Sequence, residues 1–299
     1  MLHGIASFSS IFFIISILVL PLPPQAENNY YLSWGRRKIS YLRDEIHTSM
    51  TPEQVKLEKL ITYVIVDKEL FNAISDAPQG KREVKIYWGV FEGIDYLSTM
   101  NTVALLWDRP QCLIKYGDYL HRIYESNAVS VSNNLRENPI EPPFVFMKSN
   151  ADICPQVSPE VVLNNEQKSA AVRTVLILQS IKWVLLHEFA HHLYNDFDAV
   201  DPAISRQREE RADAYATQTM LVSPDDNPMS AIPVLILFCS VEDFNLYDKR
   251  QDHPTGLKRV KTMFETARKS DKWKNMWDTA SPSQRTQIQA MMDHLKEIE

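Results

Sequence analysis

From about Glu166 to Tyr194 the chain runs without a glycine or a proline, and its apolar residues recur at helical spacing. That long helix is the strongest constraint on the fold. Toward its end it reads Leu185-Leu186-His187-Glu188-Phe189-Ala190-His191-His192, so positions 187–191 form H-E-x-x-H. Residues four apart on a helix share a face. His187 and His191 can therefore aim imidazole nitrogens at one metal ion. Glu188 is displaced around the helix and can reach a water on that ion instead. This is the geometry for Zn²⁺ with a carboxylate general base. The pattern arises by chance in roughly one chain of this length in a hundred. The bland alternative is two surface histidines beside an exposed Glu. The apolar flanks Ile181, Val184, Leu185, Leu186, Phe189, Ala190 and Leu193 argue against it, because a buried polar cluster needs compensation.

A second helix, about Ser205 to Leu221, offers a third ligand. It contains Arg208-Glu209-Glu210-Arg211-Ala212-Asp213-Ala214-Tyr215-Ala216. Glu209 and Asp213 share a face, with Ala212 and Ala216 small enough to admit the first helix. Glu209 can complete a His₂Glu site, and Asp213 can accept a hydrogen bond from the far nitrogen of a ligand His. Glu210 is an alternative to Glu209. Alone, the segment would be a solvated acidic face; its pairing with H-E-x-x-H reverses that, since a catalytic zinc needs three protein ligands and an open position.

His187-Glu188-x-x-His191 followed by Glu209-x-x-x-Asp213 resembles the gluzincin zinc metallopeptidases. The Glu-x-x-Ala-Asp-x-x-Ala ending is similar to exported bacterial metallopeptidases and, more distantly, to prenyl-protein and heat-shock metallopeptidases. The resemblance covers about residues 175–262. It implies an α+β, zincin-like fold, with a mainly helical catalytic half and a small sheet from the N-terminal half. It also implies bound Zn²⁺, a protein or peptide substrate, and an endopeptidase rather than an exopeptidase. Its role assignments are His187, His191 and Glu209 as ligands, Glu188 as catalytic base, and Asp213 supporting His187. A later His-Pro segment is common in such families. Here His253-Pro254 makes His253 a candidate catalytic donor to the transition state, with Tyr215 and Tyr247 as alternatives. Peptide would bind as a strand added to a sheet edge. Glu83–Phe91 is the first candidate edge and Phe144–Met147 the second. The competing class is an inactive, zinc-stabilised binding or regulatory protein with a peptidase fold; a third reading is hydrolysis of a non-peptide amide.

Composition narrows the field further. With 32 Lys+Arg against 38 Asp+Glu the net charge is −6, which disfavours nucleic acid as the main partner. None of the 7 glycines lies in a dinucleotide or P-loop pattern. Three cysteines exclude a disulfide-stapled mini-fold; Cys112 and Cys154 could pair in an oxidising compartment, and Cys239 reads as a buried thiol.

Residues 1–26 carry no Asp, Glu, Lys or Arg, and their apolar run Ile11 to Leu20 is stopped by Pro21, Pro23 and Pro24. That length fits a signal peptide ending near Ala26, and hence an exported protein. The rivals are an uncleaved anchor over residues 2–22, with Arg36-Arg37-Lys38 behind it, and a buried N-terminal helix. The expected organisation is a leader over 1–26, an N-terminal α/β portion over 27–160 and a mainly helical zinc-binding portion over 161–299. Within it, helices are expected over 52–75, Cys112–Tyr124, 231–246, 254–270 and 283–298. Strands are expected over Glu83–Phe91 and Thr102–Trp107, and Phe144–Met147 reads as extended. His192 reads as a surface or supporting residue. His47, His121 and His294 have no ligand-spaced partner, and Trp273 and Trp277 read as packing a C-terminal helix.

Overall fold

The computed structural model describes residues 24–68, 70–132, 138–164, 168–198, 201–242, 256–279 and 285. The chain begins with α1 (Pro24–His47) and α2 (Pro52–Glu58), then β1 (Thr62–Val66), β2 (Ala73–Asp76) and β3 (Glu83–Tyr87). Helices follow: α3 (Trp88–Leu106), α4 (Pro110–Ser132), α5 (Pro143–Ser149), α6 (Pro159–Leu163), α7 (Lys168–Tyr194), α8 (Pro202–Val222), α9 (Ile232–Glu242), α10 (Gly256–Ala267) and α11 (Asp271–Thr279). Among the described residues the fold is α+β, mostly helical, with one three-stranded sheet from the N-terminal half.

Prolines punctuate this order. Pro52, Pro110, Pro143, Pro159 and Pro202 each open a helix, where a missing N–H costs nothing and a fixed φ helps. Asp201 caps α8, accepting from the N–H groups of Ala203 and Ile204 at 2.8 and 3.0 Å.

α7 is the core helix. It packs against α1, α3, α8, α9 and β2, and Trp183, Leu185, Phe189 and Ala190 have no exposed surface. It is also long and apolar enough to cross a membrane, but two thirds of its apolar window is buried inside the protein. The sheet order is β1-β3-β2, with β1 parallel and β2 antiparallel to β3. Ser75 pairs with Val84 in this register, so the two side chains share a face. Val84 is fully buried.

Several local expectations are corrected. The helix expected over 52–75 stops at Glu58, because Thr62-Tyr63-Val64-Ile65-Val66 is a β-branched run that pairs with β3. The strand expected over Glu83–Phe91 ends at Tyr87, and Trp88 starts α3. Thr102–Trp107, expected as a strand, forms the end of α3 and its cap; a helix buried on most sides shows no clean period. Phe144–Met147 is helical within α5, nucleated at Pro143. Of the two readings of His192, burial removes the surface one, and Cys239, expected to be buried, is half-buried. Residues 1–23, 243–255 and 286–299 lie outside the described residues. They include most of the leader, His253, Tyr247, His294 and most of the helix expected over 283–298.

A disulfide joins Cys112 in α4 to Cys154 after α5, 42 residues apart. Both sulfurs sit in the core. Cys112→Ser/Cys154→Ser is expected to destabilise the fold by about 2–4 kcal/mol, measured as a lower denaturant midpoint. An unchanged midpoint would show that the bond contributes nothing.

Candidate metal centre

α7 and α8 bring three candidate ligand residues together. His187 Nε2 lies 3.2 Å from His191 Nε2 and 3.2 Å from Glu209 Oε2, and His191 Nε2 lies 3.4 Å from Glu209 Oε1. The small side chains of Ala212 and Ala216, both fully buried, let the helices approach. The donor set can be tested against a metal. Zinc bonds of 2.0–2.1 Å in a tetrahedron space their ligand atoms about 3.3–3.4 Å apart. The two nitrogens stand near that edge length, each lies at a similar distance from its nearer Glu209 oxygen (Oε2 for His187, Oε1 for His191), and one atom from each of the three residues lies within 4.8 Å of the other two. All three residues are nearly closed off from solvent, so two imidazole nitrogens and a carboxylate face one another where a cation would balance them. They fit a zinc ion.

Each histidine has a carboxylate behind it. His187 Nδ1 lies 2.9 Å from Asp213 Oδ1. Arg259 of α10 donates to the same carboxylate twice, Nε to Oδ2 at 3.0 Å and Nη2 to Oδ1 at 2.8 Å. His191 Nδ1 lies 3.4 Å from Asp196 Oδ2, a looser contact, and Arg211 donates to Asp196 Oδ1 at 2.5 Å. Holding Nδ1 as the donor leaves Nε2 with its lone pair turned to the cluster.

The electrostatics follow from this placement. Burial would lower the His187 pKa, but hydrogen bonds to Asp213 and Glu209 and the Glu209 charge outweigh it and push it up to about 10. Burial raises the Asp213 carboxyl, yet the Arg259 charge and the His187 contact hold it below the usual carboxylate range.

Glu188 and His192 face the sheet. The Ser75 hydroxyl on β2 lies 2.7 Å from Glu188 Oε2 and 2.8 Å from the Glu188 carbonyl oxygen, so its one proton can serve either. Burial pushes His192 down to about 4, and its Nε2 lies 3.1 Å from the Glu83 carbonyl oxygen. Neutral His192 therefore donates to β3, and Arg82 Nη1 donates to the His192 carbonyl at 2.9 Å.

The structure thus gathers His187, His191, Glu209 and Asp213, with Glu188 on the sheet side of the same turn. Glu210 pairs with Lys258 instead of entering the cluster. Tyr215 packs against Phe189 and Tyr194; it lies about 240° around α8 from Glu209 at 100° per residue, so it does not face the ligands. His253 lies outside the described residues. Sequence reasoning missed Ser75, Asp196 and Arg259. Asp196, just past the end of α7, was the most findable, because a carboxylate there is within reach of the last His of the motif.

Residues 146–280 match the family model of Peptidase U49. The match supports a peptidase. It spans a little under half of the chain and takes in every ligand candidate, Asp196 and Arg259, but not the sheet. No curated protein and no solved structure matches the chain significantly.

Proposed function

We propose that this chain is a zinc-dependent endopeptidase with a zincin-like fold of the gluzincin type. The observation that carries this reading is the buried His187–His191–Glu209 cluster, whose ligand atoms lie within 4.8 Å of one another, with both histidines on the helix that also bears Glu188. The peptidase family match supports the substrate class. Zinc, when bound, supplies Lewis acidity toward a water and the scissile carbonyl. Glu188 takes a proton from the attacking water at a carboxylate oxygen. The hydroxyl adds to the carbonyl carbon, the C–N bond breaks, and Glu188 returns the proton to the leaving nitrogen. Asp213 holds His187 in the Nδ1–H tautomer throughout. His253 stands six residues before Arg259 in sequence, which supports it as the donor to the developing oxyanion.

The substrate edge needs revision. β3 has a strand on each side and cannot accept a peptide, and Phe144–Met147 is helical. β2 is an edge strand tied to Glu188 through Ser75, which supports Ala73–Asp76 as the edge that a peptide would extend. Main-chain pairing along an edge recognises no chain terminus, in keeping with an endopeptidase. Export through residues 1–26 is the localisation we favour, with a tether through residues 2–22 as the alternative. The Cys112–Cys154 bond supports an oxidising compartment.

The test is metal removal. Stripping the protein with a chelator should abolish cleavage of a peptide library, and equimolar zinc should restore it. Cleavage that persists without metal would overturn the proposal, and a zinc-loaded chain that cleaves nothing would make it a binding protein.

A further inference from the structure

The structure assigns Arg259 the part of a positioning residue: it fixes the Asp213 carboxylate that orients His187, and so sets the metal affinity of a site it does not ligate. This inference rests on the metal reading above. Arg259 and Asp213 are 3% and 0% exposed, so their pairing takes place out of water. There the two-pronged contact of a guanidinium fixes the direction as well as the charge of a carboxylate. Nε holds Oδ2 and Nη2 holds Oδ1, which stops the carboxylate from turning. Oδ1 is then left facing His187 Nδ1 at 2.9 Å. Arg259 Nη2 is itself 3.4 Å from His187 Nδ1, so the arginine and the imidazole converge on one oxygen from neighbouring directions. The same Nη2 lies 4.0 Å from Glu209 Oε2, which places a fixed positive charge behind two acidic side chains of the site.

The guanidinium is also fixed from its other sides. Its carbon lies 4.1 Å from the Phe238 ring centroid and 5.6 Å from that of Trp183, a cation–π arrangement. Trp183 stacks in turn on the His187 ring. The start of α10 is set by Gly256, where a Cβ would lie 2.3 Å from Cys239 Cα, so only glycine lets α10 meet α9 there. Helix α10 thus has a defined seat, and Arg259 projects from it to the rear of His187. Lysine could keep the charge but has a single ammonium in place of the fork.

The test compares wild type with Arg259→Lys by zinc competition against a chromophoric chelator and by the visible spectrum of the Co²⁺-loaded protein. Circular dichroism serves as the folding control. A folded Arg259→Lys should bind zinc about 10- to 100-fold more weakly and show a shifted Co²⁺ spectrum, as expected for a His ligand that has lost its fixed direction. Unchanged affinity with an unchanged spectrum would overturn the inference and leave Arg259 as a core ion pair. If Arg259→Lys does not fold, Arg259→Gln carries the same two outcomes; failure of both to fold would assign the residue to stability and overturn the positioning role. A wild-type chain that binds no zinc would overturn the metal reading and this inference with it, whereas zinc bound equally by wild type and variant overturns this inference alone.

Discussion

Glu188→Gln is expected to lower peptide cleavage by about 10²–10⁴-fold while zinc content stays at wild-type level. Glutamine keeps the length and shape of the side chain and can still accept the Ser75 hydroxyl proton that Glu188 Oε2 receives. It cannot take a proton from water. The loss should therefore appear in turnover, not in folding or metal binding. Single-turnover cleavage alongside metal analysis reads both quantities. Retained cleavage in the zinc-loaded variant would assign the base to another residue.

His187→Ala/His191→Ala is expected to remove the metal altogether. Two of the three proposed ligands vanish, and the single carboxylate of Glu209 is left to hold the ion. The fold should survive, because the carboxylates behind the two histidines keep other partners: Asp213 remains on Arg259, and Asp196 remains on Arg208 and Arg211. A folded, metal-free and inactive protein is the predicted outcome. Tight stoichiometric zinc in this variant, measured after dialysis, would refute the ligand assignment.

How much of this was legible in the sequence depended on the range of the interaction. The grouping of His187, His191 and Glu188 was legible because one helix turn sets their spacing. Glu209 and Asp213 were legible as a second i,i+4 pair on a helix with small neighbours. Arg259 was not, because its partner lies 46 residues away and nothing in Leu257-Lys258-Arg259-Val260 separates a buried arginine from a solvated one. Ser75 was hidden for the same reason.

The fold shows a similar division. α7 and α8 follow their patterns, since each is long and free of internal breakers. The β1 residues carry apolar positions that happen to continue the period of α2, so a helix was read through a strand. Part of α1 was readable in principle. Its buried Tyr31, Trp34, Ile39, Leu42 and Ile46 recur at helical intervals, but the charged run Arg36-Arg37-Lys38 interrupts the apolar pattern between Trp34 and Ile39.

Within one and a half turns of α7, four side chains reach four separate parts of the chain. His187 engages Asp213, Glu188 contacts Ser75, His191 approaches Asp196 and His192 bonds to the Glu83 carbonyl. Two of these contacts close loops of 113 and 109 residues. Contacts of such high sequence separation carry the entropy of long loops and form late relative to helices. The turn that bears the motif is thus a local structure whose surroundings are assembled from remote chain. A polypeptide cut to residues 146–280 could still make the helices, and it would keep His187, His191 and Glu209, but it would lack Ser75, Arg82 and the sheet against which Glu188 and His192 are set. The region that resembles a peptidase and the unit needed to align the turn that bears the motif are therefore of different lengths, and the difference lies upstream.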